Sequence, residues 1–391
     1  MTATDTGEDR ANMARAIAVA ERARRLSSPN PAVGCVLVRD GRVVAEAATG
    51  PVGGPHAEAR TLALAGGDAR GATAYVTLEP CAHHGRTPPC ADALVDAGVA
   101  RVVYGLADPN PPARGGAARM RDAGVEVEGG VLAPWVAQQL EGFRTSVAAG
   151  RPHVTLKLAH TVDGRLAPPA GPHAEPRTWV TGPSARRAVH RWRAAVDGVL
   201  VGSGTVLADD PRLDVRHVAA PGGQPRAIVL DTRLRTPPDA EVVRPGTILL
   251  TAVDGDPPPR RSLEDAGALV QTVPRGVDGH LDLHIALARL VDLGVTSVLA
   301  EPGATLARAL VRAGLVDRLV SHVALDLGAG PLRLPVPVRA GDPGCAGGAP
   351  PAWSVERLGG AGADLVLQLL APCPAAPRSV GSPPHAPLKE S

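Results

Sequence analysis

The sequence predicts an α/β protein in two consecutive parts. Two observations carry that prediction. Apolar strand segments alternate with helix-period segments from residue 8 to residue 130, a pattern that builds helices over a mainly parallel sheet. After Gly150-Arg151-Pro152 the same alternation begins again, which puts a domain boundary there.

The elements follow in order. Residues 8–26 read as a helix with Met13, Ile17 and Ala20 on one face and arginines on the other, stopped by Ser27-Ser28-Pro29-Asn30-Pro31. Segments 32–38 and 42–47 flank Asp40-Gly41, a hairpin-turn pair. Residues 55–66 form a second helix, 72–80 a buried strand, 91–98 a third helix, 100–109 another strand, and 115–130 a helix and a strand. A helix carrying Trp135 and Phe143 leads to the boundary. Beyond it the alternating segments are 153–161, 184–198, 198–207, 225–232, 246–252, 280–294, 295–303, 304–316 and 318–327, closed by a strand at 364–371. The expected division is 1–148, 149–372 and a Pro/Ser-rich disordered tail, 373–391.

Composition narrows the function. A formal net charge of +2 over 391 residues gives no electrostatic case for nucleic acid. No apolar run reaches the length of a membrane span. The polar, acidic opening MTATDTGEDR is not a signal peptide, and five cysteines do not make a disulfide framework. A cytoplasmic protein with reduced thiols is expected. Only Lys157 and Lys389 are lysines, and only Asn12, Asn30 and Asn110 are asparagines. Codon bias explains the scarcity, and it makes a mid-chain lysine a hint of specific chemistry.

Three residues of the first half have the make-up of a catalytic zinc site. His56 and Glu58 open the second helix; Cys81 follows Pro80 at a strand end; Cys90 follows Pro88-Pro89 at a helix start. One imidazole and two thiolates leave a fourth tetrahedral position open, as catalytic zinc requires and structural zinc does not. Glu58, two residues from His56, is placed to take a proton from a zinc-activated water and pass it to a leaving amine. H-x-E with P-C-x-x-C is the signature of zinc deaminases; here eight residues separate the cysteines, including His83, His84 and Arg86. These suit a polar, phosphorylated substrate, and Asn30 can read a pyrimidine edge. Plainer readings stay open. Cys35 reads as core, His83 and His84 as a solvated loop, Asn30 as a turn residue, and the zinc as structural.

The second half has no G-x-G-x-x-G, so a Rossmann site is not supported. It offers Gly202-Ser203-Gly204-Thr205 after a strand, then Asp209-Asp210-Pro211, Leu213 and Arg216. Glu301-Pro302-Gly303-Ala304-Thr305 stands between a strand and a helix, and Arg186, Arg187, Arg191 and Arg193 share a helix. Gly-bearing turns can present N–H groups to phosphate. Equally, the Gly-Ser-Gly can be a plain loop, the arginines a solvated face, and Trp179 core.

The segments SPNPAVGCV, PHAEA, TLEPCAHHGRTPPC and ARVVYGLADPNP, with VTLKLAHTVDGR, TWVTGPSARR, VGSGTVLADDPRLDVR, IVLDT and EPGATLARALVRAGLVD, closely resemble the bifunctional riboflavin-biosynthesis deaminase/reductase family. The resemblance implies a cytidine-deaminase-like three-layer domain followed by a dihydrofolate-reductase-like α/β domain. It implies zinc, one ion per chain, on His56, Cys81 and Cys90, with Glu58 as proton shuttle. It implies hydrolytic deamination of a phosphoribosylamino-diaminohydroxypyrimidine, then NADPH-dependent reduction of the ribosyl to a ribityl group. The implied cofactor residues are Ala159, Trp179, Thr205, Asp209, Thr232, Gly303, Ala304, Thr305 and Leu306. The implied substrate residues of the reductase are Lys157, Arg177, Arg193, Leu213, Arg216 and Glu301; Asn30 and His83 are candidates in the deaminase. A small-molecule substrate and a homo-oligomer are expected, without nucleic acid or membrane. The chain departs from the family before His56, where Ala-Thr-Gly-Pro-Val-Gly-Gly lacks a usual His. It departs again at His160-Thr161, in place of a small residue and Ser, and at Pro302, in place of Gly. The last two motivate an alternative, a deaminase with a degenerate reductase domain acting as scaffold. A zinc-stabilised binding module is the non-enzymatic alternative, and Glu58 argues against it.

Overall fold

The computed structural model describes residues 7–84, 88–162, 180–324, 353–362 and 364–371. The chain divides after Gly150 into two compact units.

The first unit runs α1 (Gly7–Ala20), β1 (Gly34–Arg39), β2 (Arg42–Ala48), α2 (Ala57–Ala65), β3 (Thr73–Leu78), α3 (Cys90–Asp96), β4 (Arg101–Leu106), α4 (Gly116–Asp122), β5 (Glu126–Gly129), α5 (Ala133–Gln139) and α6 (Glu141–Ala149). The five strands lie in the order β2-β1-β3-β4-β5. Only β3, β4 and β5 are parallel; β1 is antiparallel to both its neighbours. The sheet is therefore mixed, where the alternation of elements led to a mainly parallel one. The hairpin is the reason: Asp40 and Gly41 both have positive φ, 51° and 72°, the twist that a tight antiparallel turn needs. One face of the sheet packs Cys35, Leu37, Ala74, Val76 and Val102 against α2, α3 and α4. The other packs Val36, Val38, Tyr75 and Val103 against Met13, Ala16 and Val19 of α1. The result is three layers. The N-terminal helix ends at Ala20 and continues as a 3-10 turn, Glu21–Ala23.

A buried charge ties α1 to the sheet. Asp9 is 1% exposed. It accepts hydrogen bonds from Tyr75 Oη at 2.9 Å and from both Arg101 terminal nitrogens at 2.7 and 3.2 Å.

The second unit runs β6 (His153–Thr161), α7 (Pro183–Ala195), β7 (Gly198–Gly202), α8 (Ser203–Asp209), β8 (Arg226–Leu230), β9 (Ile248–Thr251), α9 (Pro258–Asp265), β10 (Leu269–Thr272), α10 (Leu283–Asp292), β11 (Ser297–Ala300), α11 (Ala304–Arg312), β12 (Arg318–Ala324), β13 (Ser354–Ala361) and β14 (Asp364–Leu370). Its nine-stranded sheet has the order β10-β9-β8-β7-β11-β6-β12-β14-β13. Pairing is parallel from β10 to β12, and antiparallel for β14 and β13. Ala307 and Leu310 of α11 pack into the core on one face, and Val206 of α8 into the core on the other. The chain moves away from β7 toward β8 through α8, and away from β11 in the opposite direction toward β12 through α11. The adjacent strands β7 and β11 therefore flank a topological switch point, where ligands of open α/β sheets bind beyond the strands' carboxyl ends.

Removing the carboxylate charge should show how much α1 depends on it. Asp9→Asn removes the bidentate carboxylate of Arg101, which keeps Glu126 and Glu128 as partners, and is expected to destabilise the first unit by about 1–2 kcal/mol. Urea unfolding of the full chain, followed through the unit's own transition, measures it.

Candidate metal centre and cofactor crevice

The three predicted ligands arrive from three elements. His56 is the extended residue that caps α2, Cys81 follows β3, and Cys90 is the first residue of α3. His56 Nδ1 lies 3.2 Å from Cys90 Sγ and 3.7 Å from Cys81 Sγ, and the Cys90 N–H donates to Cys81 Sγ at 3.4 Å. All three ligand atoms lie within 4.8 Å of one another. Bonds of ~2.3 Å to sulfur and ~2.0 Å to nitrogen put tetrahedral ligands about 3.5–3.8 Å apart. The N···S distances match, so the donor set fits zinc.

Glu58, in the first turn of α2, is 4% exposed. Burial raises its carboxyl, and the neighbouring His56 charge only partly opposes that. The Cys81 thiol is pulled down, first by a hydrogen bond from Cys90 and then by one from His56. The same hydrogen bond, with burial, raises the Cys90 thiol. Burial raises the Cys35 thiol, and the side chain is fully enclosed in the core.

The Cys81 turn is held by residues that the sequence reading did not single out. Glu79, 8% exposed, accepts from the Asp108 N–H at 3.3 Å with one oxygen and from the Ala117 N–H at 3.0 Å with the other. The Ala82 N–H donates to Ala113 O, and the Ala91 N–H to Cys81 O. A Cβ on Gly116 would lie 1.7 Å from the Pro80 carbonyl oxygen. The only advance signal was position: Glu79 immediately precedes Pro80-Cys81, and Gly116 follows another glycine.

Of the substrate candidates, His83 lies on the loop between the two cysteines, half-buried, with Nδ1 enclosed and without a partner among the described residues. His84 is exposed. Asn30 is exposed on a separate loop before β1, its backbone folded onto Ser27.

In the second unit, Gly202-Ser203-Gly204-Thr205 is not a loop: Gly202 ends β7 and Ser203 begins α8. Thr205 Oγ1 accepts from the Gly303 N–H at 3.2 Å, and Leu306 lies 3.4 Å from where a Gly202 Cβ would stand. These contacts line the β7/β11 switch point. Open space lies above Gly204, and the first N–H groups of α11, on Ala304, Thr305 and Leu306, have no acceptor within the helix. This cradle fits the pyrophosphate of a dinucleotide. Thr232 stands just beyond β8, Asp209 is exposed at the end of α8, and Ala159 is on β6. Arg177 and Trp179 lie outside the described residues, as do Gly85–Thr87 and the tail.

The substrate candidates form one charged cluster. Glu301 directly follows the register partner of Leu156, so it stands beside Lys157. Arg193 of α7 grips Glu301 with two hydrogen bonds, 2.7 and 3.1 Å, and donates to Asp214 O at 3.0 Å. Burial alone would raise the Glu301 carboxyl, but Arg193 and Lys157 more than offset it and hold it low. Burial lowers Lys157, against the pull of Glu301. Arg216 pairs with Asp214 and donates its N–H to His190 Nδ1 at 3.1 Å. Burial, with Arg193 and Arg216 nearby, pushes His190 down to about 4. Leu213 is buried at φ 52°. Among the described residues, Lys157, Arg193 and Arg216, with Arg244 close by, outnumber the carboxylates of Glu301 and Asp214 that they face.

The departures are accommodated. Pro302 lies between the Glu301 N–H, which donates to Leu200 O, and the Gly303 N–H, which donates to Thr205. His160 bonds Thr161 O through Nδ1 at 2.8 Å and Ser321 Oγ through Nε2 at 2.6 Å. A second histidine, His322, pairs in register with Ala159 and is fully buried, with neither nitrogen partnered among the described residues.

The pattern for the cytidine and deoxycytidylate deaminase zinc-binding region matches residues 6–106, and that for the RibD C-terminal domain matches 152–331. The riboflavin biosynthesis protein RibD of Escherichia coli is 42% identical over 337 residues, covering 82% of this chain and 88% of that protein. The Mycobacterium tuberculosis protein of the same name is 39% identical over 88% of this chain and 91% of its own length. Among solved structures, Acinetobacter baumannii RibD superposes with a TM-score of 0.80 at 36% identity, covering 94% of this chain and 99% of that one. A Thermotoga maritima diaminohydroxyphosphoribosylaminopyrimidine deaminase/5-amino-6-(5-phosphoribosylamino)uracil reductase gives 0.78 at 30% identity, covering 93% and 99%.

Two outcomes follow from this geometry. Gly116→Ala must push the Pro80 carbonyl and with it Cys81, so the purified variant should retain less zinc per chain than the unmodified protein by metal analysis. Burial, together with Lys157, holds His322 down to about 4, against 6.5 for an ordinary imidazole. The unfolded chain then binds the proton more readily, so this contribution is complete above about pH 6.5 and is lost as pH falls toward 4. Relative to the unmodified protein, His322→Phe should gain about 2 kcal/mol of stability between pH 7.5 and pH 5, measured by denaturant unfolding at the two pH values.

Proposed function

The chain belongs to the family of bifunctional riboflavin-biosynthesis deaminase/reductases, and from that premise we propose how its residues divide the two reactions. The enzyme removes an amino group hydrolytically from a phosphoribosylamino-diaminohydroxypyrimidine, with zinc, and reduces the ribosyl to a ribityl group, with NADPH. We assign deamination to residues 1–148 and reduction to residues 149–372.

In our reading His56, Cys81 and Cys90 hold the metal. Zinc supplies Lewis acidity at the position that these three side chains leave open. Glu58 takes a proton and returns it to the leaving amine; a carboxyl raised by burial is suited to both halves of that exchange. His83 and Asn30 orient the pyrimidine. The observation that carries this assignment is the buried Glu58 carboxyl, in the first turn of the helix that His56 caps, with His56 part of a His/Cys/Cys set within 4.8 Å.

In the second unit NADPH supplies the hydride. Thr205, Thr232 and Gly303–Leu306 hold it along the switch point, with Ala159, Asp209 and Trp179 completing its contacts. Lys157, Arg193 and Arg216, balanced by Glu301, orient the phosphorylated sugar, with Leu213 and Arg177 bounding it. The scaffold alternative is not favoured, since the cradle and the charged cluster are both assembled.

We also place the enzyme in the cytoplasm, in keeping with free cysteines at positions 35, 81 and 90, and read it as a homo-oligomer. Edge strand β13 exposes Val355 and Leu358, at 65% and 62%, which supports an apolar contact.

Glu58→Gln tests the proton role. Ammonia release should fall by about 10²–10⁴-fold, with zinc content unchanged and NADPH oxidation on the deaminated intermediate intact. Full-rate ammonia release by this variant would remove Glu58 from the proton transfer.

A further inference from the structure

The turn after β8 is built more firmly than a connecting loop requires. Asp231 is completely buried. One of its oxygens accepts from the Arg233 N–H at 3.4 Å, and the other from the N–H and hydroxyl of Thr236, each at 2.7 Å. Between them Leu234 is held buried at φ 52°, a conformation that a leucine keeps only where its surroundings impose it. The consequence is directional. Arg235 leaves the turn toward α8 and donates through Nη2 to Ser203 Oγ at 3.0 Å.

Ser203 is itself buried, two residues before Thr205, whose hydroxyl accepts from Gly303. The Arg235 guanidinium thus stands at the margin of the β7/β11 crevice. It is exposed, and among the described residues no carboxylate pairs with it.

Dinucleotide sites discriminate at the adenosine ribose. A carboxylate takes the free 2′-hydroxyl of NADH, whereas an arginine takes the 2′-phosphate of NADPH. Here the acid of this turn, Asp231, has both oxygens engaged and no exposure, so it cannot receive a ribose hydroxyl. The turn presents a cation instead, whose planar fork matches a phosphate monoester. We propose that Arg235, oriented by Ser203, reads the 2′-phosphate and sets the preference for NADPH over NADH. The proposal rests on the reading that this crevice holds NADPH.

Calorimetric titration of the full-length protein with NADPH, NADH and 2′,5′-ADP tests it. Arg235→Gln should weaken NADPH and 2′,5′-ADP by about tenfold or more and leave NADH within about twofold. Arg235→Lys should recover part of the loss, and Arg233→Gln, on the same turn, should change neither cofactor by more than about twofold. Equal weakening of NADPH and NADH would put the guanidinium on the pyrophosphate that both share, and would overturn the proposal. So would no weakening of either, or an equal effect from Arg233→Gln. Failure of the unmodified protein to bind NADPH would instead overturn the cofactor reading beneath it.

Discussion

Parallel strand pairing is the constraint on which both halves depend. Strands that run the same way deliver all their strand-to-helix turns to one edge of the sheet. In the first unit that edge receives Cys81 after β3 and Asp108 after β4, and the Glu79 carboxylate joins the two turns. In the second it receives Glu301, Ser203 and Thr232 from β11, β7 and β8. Residues far apart in sequence, such as Thr205 and Gly303, become hydrogen-bond partners because their strands are neighbours. The hairpin turns β2 back to run the same way as β3, so the segment after β2 brings His56 to the same edge; the antiparallel β14–β13 addition extends the second sheet without a crevice turn among the described residues.

The two candidate sites solve opposite electrostatic problems. The metal centre gathers soft donors, two thiols and one imidazole, beside the buried Glu58 carboxyl, a set suited to a cation. The reductase cluster sets Lys157, Arg193 and the half-exposed Arg216 against the carboxylates of Glu301 and Asp214. Removing one partner from such a buried set costs several kcal/mol, because the other is left without compensation. An anion and a cation are therefore the electrostatic complements of the two sites. Each is bound by a frame that is arranged in advance, so little need be reorganised on binding.

The zinc ligands were legible because their neighbours are constrained as well: proline before each cysteine, and His56 and Glu58 on one helix start. The fold class was legible from alternation alone. What escaped had weak local signals. Strand β10 is four residues long and half exposed, β13 is an exposed edge, and α9 is mostly polar, so none has a clear apolar period. Glu79, Asp108 and Gly116 escaped for a different reason. Their roles arise from contacts between β3, β4 and α4 that no spacing along the chain announces. The mixed first sheet was half legible: Asp40-Gly41 announced a hairpin, but not that β1 would also pair antiparallel with β3.

The departures from the family pattern bear on whether the reductase half works. Proline at 302 removes one N–H donor, which would matter if that donor held the cofactor turn in place. The turn is fixed on either side of it, by Glu301 N–H on Leu200 and Gly303 N–H on Thr205. The α11 donors that face the crevice begin after it, at Ala304. Proline's fixed φ also suits a turn that must hold one shape. His160 brings a polar ring into a buried position, yet both nitrogens are bonded, and its link to Ser321 ties β6 to β12 beside Lys157 and Ala159. A domain losing its function would be expected to lose the costly features first. Here the strained Leu213 and Leu234, the buried Arg193–Glu301 pair and the enclosed Lys157 are all present. Each lowers stability or yields little of it, so a scaffold would gain nothing by keeping them together.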